Sequence, residues 1–94
     1  MKQRQIRVIV TGALGRTGSE VMSALAGDNI SFASIVCGVD VRAKADEKLF
    51  GVPIYAEFSA ITERADALID FSSAEGVATR LEFAAAHGLC AVLA

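Results

Sequence analysis

Three glycines, Gly12, Gly15 and Gly18, recur at every third residue directly behind the apolar run Ile6 to Thr11. A β-branched run, a glycine turn and an amphipathic stretch from Ser19 to Ala26 spell strand, tight turn, helix. That order binds the pyrophosphate of a dinucleotide, because glycines let the backbone come close to the phosphates. The helix N-terminus adds free N–H groups and a partial positive charge. Arg16, inside the turn, reads either as a guanidinium reaching phosphate oxygens or as an exposed loop charge. Asp40 closes a second apolar run, Ile30 to Val39, about 20 residues after the turn. An acid there accepts both ribose hydroxyls of adenosine; otherwise it is a solvated turn aspartate. Arg42 either neutralises a 2′-phosphate or is an ordinary solvated charge. Together these residues predict NADH as the cofactor, with NADPH possible.

The elements that must position these groups follow from periodicity. Ile6 to Thr11 is apolar without alternation and predicts a fully buried strand. Val21 and Leu25, with Met22 and Ala26, predict the inner side of the first helix, which Gly27-Asp28-Asn29 ends. Val41 to Gly51 carries five charged residues and reads as a solvated loop or ragged helical turn. Val52 to Ala56 is a short strand candidate, Ser59 to Ala65 a short helix or turn, and Ala67 to Phe71 a strong strand. Ser72 and Glu75 stand in capping-box relation before a helix from Glu75 to His87, with Val77, Leu81 and Ala85 on one face. Gly88 is placed to end it in a left-handed conformation, with His87 as a capping side chain rather than a catalyst. Leu89 to Ala94 begins another strand. The order predicts an α/β fold of Rossmann type: a parallel sheet of four or five strands, ordered like 3-2-1-4-5, with helices on both faces. Asp70-Phe71-Ser72-Ser73 then lies across the switch point from the glycine turn, beside the nicotinamide end of a bound cofactor.

Composition narrows the classes. At 94 residues and 53% apolar content, with one proline, the chain is a single globular domain or part of one. A net charge of −2 leaves no electrostatic footprint for nucleic acid. No segment approaches the ~20 apolar residues that span a bilayer. Cys37 and Cys90 sit in apolar runs and read as buried small hydrophobes in a reducing cytoplasm. With one histidine and no CxxC spacing, no metal site is expected.

Val10-Thr11-Gly12-Ala13-Leu14-Gly15-Arg16-Thr17-Gly18, then Gly38-Val39-Asp40, then Ala67-Leu68-Ile69-Asp70-Phe71-Ser72-Ser73 with Glu75-Gly76, then Ala86-His87-Gly88, closely resembles the N-terminal half of bacterial dihydrodipicolinate reductases. The resemblance covers nearly the whole chain. It implies an NAD(P)H-dependent enzyme of diaminopimelate and lysine biosynthesis that reduces a small cyclic dicarboxylate and assembles as a homotetramer. It makes Gly12, Ala13, Leu14, Gly15, Arg16, Thr17 and Gly18 the pyrophosphate turn, Asp40 the ribose acid with Arg42 beside it, and Phe71 and Ser72 part of the nicotinamide pocket. Thr17 departs from the family's usual methionine. The chain also stops where the family continues into a G-T-T-G loop and a second domain holding paired histidines and a lysine. Residues 1–94 are therefore expected to be a truncated, cofactor-binding domain with no catalytic residue and no activity alone. An atypical short-chain dehydrogenase fragment and a non-catalytic dinucleotide-binding module are the alternatives.

Overall fold

The computed structural model describes residues 5–27, 32–72 and 76–94. In chain order it holds β1 (Ile6–Thr11), α1 (Arg16–Ala26), β2 (Ala33–Val39), β3 (Lys48–Leu49) and β4 (Val52–Tyr55). A 3-10 turn (Phe58–Ala60), β5 (Ala67–Asp70), α2 (Val77–Ala86) and β6 (Cys90–Leu93) follow. The six strands form one sheet in the order β3-β4-β2-β1-β5-β6. All neighbours run parallel except β3 and β4. With that hairpin counted as the third strand, the order is the expected 3-2-1-4-5.

β1 lies at the centre and sends side chains to both faces. Val8 and Val10 pack with Met22 of α1, while Ile9 packs with Leu68 and with Ala84 of α2. Each large side chain so buried contributes about 1.5–3 kcal/mol. The pairing of β1 with β2 skips a residue between Val8↔Ile35 and Ile9↔Cys37. This bulge inverts the parity of β2, so that Ile35 packs on the α1 side while Cys37 and Val39 pack on the α2 side. Gly38 is thereby turned toward α1, where an added Cβ would lie 2.6 Å from the Ala13 side chain and 3.1 Å from the Met22 sulfur.

Several sequence expectations change. α1 starts at Arg16, three residues before Ser19, because Gly15 already serves as its extended N-cap (φ −77°, ψ 170°). Ala26, assigned to its inner side, is exposed. β1 is buried from Val8 onward, but Ile6 and Arg7 are exposed. The charged stretch after Asp40 is not all loop: it holds β3, which forms a hairpin with β4. Phe50 and Gly51 at its tip both have positive φ (53° and 80°), as a two-residue turn matched to strand twist requires. On α2 the buried positions are Arg80 and Ala84; Leu81 and Ala85 face solvent. The helix is rotated so that Arg80 meets Asp70 of β5. The capping box does not form on the Ser72 side: α2 is capped by Gly76, and Ser72 binds Asp70 instead. Glu75, Ser73, the stop Asp28-Asn29 and the start of the second strand at Ile30 lie outside the described residues. Gly88 takes the expected left-handed conformation (φ 68°).

Cys37 is buried, whereas Cys90, on edge strand β6, is exposed. Burial, with the charge of Glu63 second, pushes the Cys37 thiol up to about 12. A thiol-reactive dye should therefore label one cysteine in the folded chain and both in denaturant, with labelling counted by mass spectrometry. Gly18 provides a second test. A Cβ there would lie 2.0 Å from the Gly12 carbonyl oxygen, whereas at Gly27 the nearest atom would be at 3.5 Å. Gly18→Ala should cost about 1–3 kcal/mol or more in urea unfolding, and Gly27→Ala should stay within about 0.5 kcal/mol.

Candidate functional site

β1 leads to β2 on one side and β5 pairs on the other, so the carboxyl ends of these strands flank a topological switch point. A cleft of about 690 Å³ opens there. Gly12, Gly15, Asp40, Arg42, Phe71 and Ser72 line it, with Thr11 and Arg80. That volume falls in the range of small-ligand pockets. Ala13, Leu14 and Gly18 support the turn from beneath, and Arg16 and Thr17 are exposed in the first turn of α1.

The turn uses most of its own N–H groups. Gly12 and Ala13 donate to the Val39 carbonyl at 2.8 and 3.3 Å, and Gly15 donates to Gly12 at 3.0 Å. Leu14 N–H donates to Asp40 Oδ2 at 3.0 Å. The first bond of the helix is Ser19 N–H to the Gly15 carbonyl, at 2.9 Å. Helix geometry then leaves Arg16, Thr17 and Gly18 as the N–H groups without an intrahelical acceptor. Gly12 (φ 73°) has a further reason to be glycine: a Cβ would lie 2.9 Å from the carbonyl carbon of Phe71.

Two buried carboxylates bracket the cleft. Asp40 receives Arg42 in a fork, Nε to Oδ1 and the NH2 nitrogen to Oδ2, both at 2.9 Å, and the Arg42 N–H at 3.0 Å. The Arg42 side chain is 62% exposed against 4% for Asp40. Arg42's hydrogen bonds hold the Asp40 carboxyl below its ordinary value, against the opposing effect of burial. Asp70, on the other side, receives hydrogen bonds from Thr11 Oγ1 at 2.5 Å and Ser72 N–H at 3.0 Å, and from Ser72 Oγ. Arg80 Nε donates to its other oxygen at 2.5 Å. Burial pushes the Asp70 carboxyl up, but the donors from Ser72, Thr11 and Arg80 outweigh it and leave it below its ordinary value.

The sequence places Asp70 only as the first residue of the loop running to Ser73, and assigns Thr11 and Arg80 no role. The signal in the sequence lies in α2, where Arg80 interrupts an apolar helix face; the strand-end pairing of Thr11 with Asp70 emerges only in the sheet. His87 is a cap as expected, its Nδ1–H donating to the Phe83 carbonyl at 2.9 Å. Among the described residues no group of three or more His, Cys, Asp or Glu is placed to hold a metal ion. No helix among them is long and apolar enough to cross a membrane.

A parallel sheet with helices on both faces, a glycine turn at the switch point and an acid ending the second strand define a Rossmann-type dinucleotide-binding domain. The sequence model of one such family, described as dihydrodipicolinate reductase, N-terminus, matches residues 6–94, and the chain belongs to that family. Among solved structures it is similar to apo scyllo-inositol dehydrogenase from Lactobacillus casei, with a TM-score of 0.77 and 24% identity. The match covers 99% of this chain and 29% of that one. At that identity the likeness carries the fold.

Acid should weaken this chain through both carboxylates. Each is depressed in the folded state, so its contribution is complete above the unfolded value near 3.9 and is lost as pH falls from there through the folded value. Urea unfolding between pH 7 and pH 3 should show stability falling steeply below about pH 4. Asp70→Asn should cost about 3 kcal/mol at pH 7 and flatten that acid slope, because it leaves Arg80 facing a neutral group.

Proposed function

We propose that this chain is the NAD(P)H-binding domain of a 4-hydroxy-tetrahydrodipicolinate reductase, acting in the cytoplasm in diaminopimelate and lysine biosynthesis. The observation that carries the reading is the cleft between Asp40 and Ser72, floored by the glycine turn, in a chain of this family. Its residues fit a dinucleotide. Gly12 and Gly15 keep the floor free of side chains, and a Cβ on Gly15 would lie 3.7 Å from the Arg42 guanidinium, within the cleft wall. The N–H groups of Arg16 and Thr17 offer donors to the pyrophosphate, with the Arg16 guanidinium beside them. Phe71 and Ser72 form the wall for the nicotinamide.

Asp40 serves the adenosine ribose by exchange. Its oxygens are already bonded to Leu14 and Arg42. The exposed Arg42 side chain must swing off before ribose hydroxyls can replace it. With a 2′-phosphate present, the same guanidinium turns to the phosphate, which softens a preference for NADH over NADPH. The bound cofactor would supply a hydride. The substrate, a small cyclic dicarboxylate, needs cationic groups and a proton donor that hold it at the nicotinamide. His87 caps α2 and cannot serve there. In this reading residues 1–94 bind the cofactor and do not by themselves catalyse the reduction.

Calorimetry with NADH and NADPH tests the assignment. NADH should bind at least as tightly as NADPH; a preference for NADPH of about tenfold, or 1.4 kcal/mol, removes Asp40 from its role. Gly15→Val should abolish binding of both with an unchanged far-UV spectrum. No oxidation of NADH should follow addition of the cyclic precursor, and turnover above background would refute the division of labour.

A further inference from the structure

Arg80 is out of place as a structural residue. It is 8% exposed on the inner face of α2, where an apolar side chain would pack at lower cost. Buried ion pairs are a poor source of stability, but they fix geometry well. Here the geometry is specific. Oδ1 of Asp70 is held by Thr11 at the end of β1 and by the Ser72 hydroxyl and N–H. Oδ2 faces Arg80. Arg80 therefore sets the rotation of the carboxylate, and the carboxylate sets Ser72. Phe71, next to it, donates its N–H to the Thr11 carbonyl at 3.0 Å and lies against Gly12 at the distance that excludes a Cβ. On the other side, the bonds of Asp40 to Leu14 and Arg42 share no member with this set.

We infer that Arg80 is a positioning residue that acts through Asp70 to fix the Phe71–Ser72 wall of the cleft, and with it the nicotinamide half of the cofactor, leaving the adenosine half to Asp40. The inference rests on the nucleotide reading above. A planar guanidinium suits the task, because its Nε–H direction is fixed by the plane of the group, whereas a lysine ammonium carries charge without that direction.

The test compares two ligands on the same variants. NADH spans both halves of the cleft; ADP-ribose lacks the nicotinamide. Arg80→Met and Arg80→Lys are checked for folding by circular dichroism and titrated with each ligand by calorimetry. Arg80→Met should weaken NADH by about tenfold, the loss of one charge-assisted bond acting on the wall, and leave ADP-ribose within about twofold. Arg80→Lys should fall between wild type and Arg80→Met for NADH alone, and it carries the test if Arg80→Met does not fold. Equal weakening of both ligands makes Arg80 merely structural and overturns the inference, as does unchanged NADH affinity in the folded variants. Wild-type chain that binds neither ligand overturns the nucleotide reading itself, and the positioning role with it.

Discussion

A buried carboxylate at the end of β5 draws donors from three parts of the chain: Thr11 of β1, Ser72 of the following loop and Arg80 of α2. Removing a charge from water costs several kcal/mol unless its oxygens are satisfied. Asp70 thus tolerates burial only while all three parts are in place. That requirement fixes the rotation of α2, which exposes Leu81 to keep Arg80 inside. It also diverts Ser72 from capping the helix, a task left to Gly76 in the left-handed conformation. The floor of the cleft follows in turn, since Phe71 closes on Gly12.

The second constraint is packing on the α1 side. The bulge in β2 turns Gly38 toward Ala13 and Met22, and the absence of a side chain there lets the turn sit down on the sheet. Gly18 does the same between helix and turn. Two of the motif's glycines thus serve close packing: Gly18 lies beneath the cleft, and Gly12 receives the β5 loop. Gly15 is the one whose missing side chain keeps the floor of the cleft open. The wall across from it, Asp40 with Arg42, is held by an exposed fork that can open without disturbing the core.

The central strands, the glycine turn and the sheet order were legible because each has a local signature: β-branched runs, spaced glycines and alternating helical stretches. The hairpin was not, because Phe50 gives no sign of the positive φ it adopts. The inner face of α2 was misread for a physical reason. Periodicity marks apolar residues as buried, and here an ion pair to a residue ten positions away overrides that pattern. Cys90 was misread because an apolar strand looks the same in sequence whether it is central or at an edge. Both walls of the cleft were legible, one as Asp40 and the other as the loop that follows Asp70. The bond between Thr11 and Asp70 that holds the second wall was not, because no short motif reveals it.

That pairing spans 59 residues, against 26 for the bond between Leu14 and Asp40. The difference orders events during synthesis. At about 5–20 residues per second, a ribosome needs roughly 3–12 s to move from Thr11 to Asp70. The acid that steadies the glycine turn emerges in less than half that interval. The nascent chain can close one half of its cleft while the other half is still being translated. Throughout that delay Ile9 and Val10 lack their β5 neighbours, and the centre of the future sheet is open to whatever chaperone waits at the tunnel mouth.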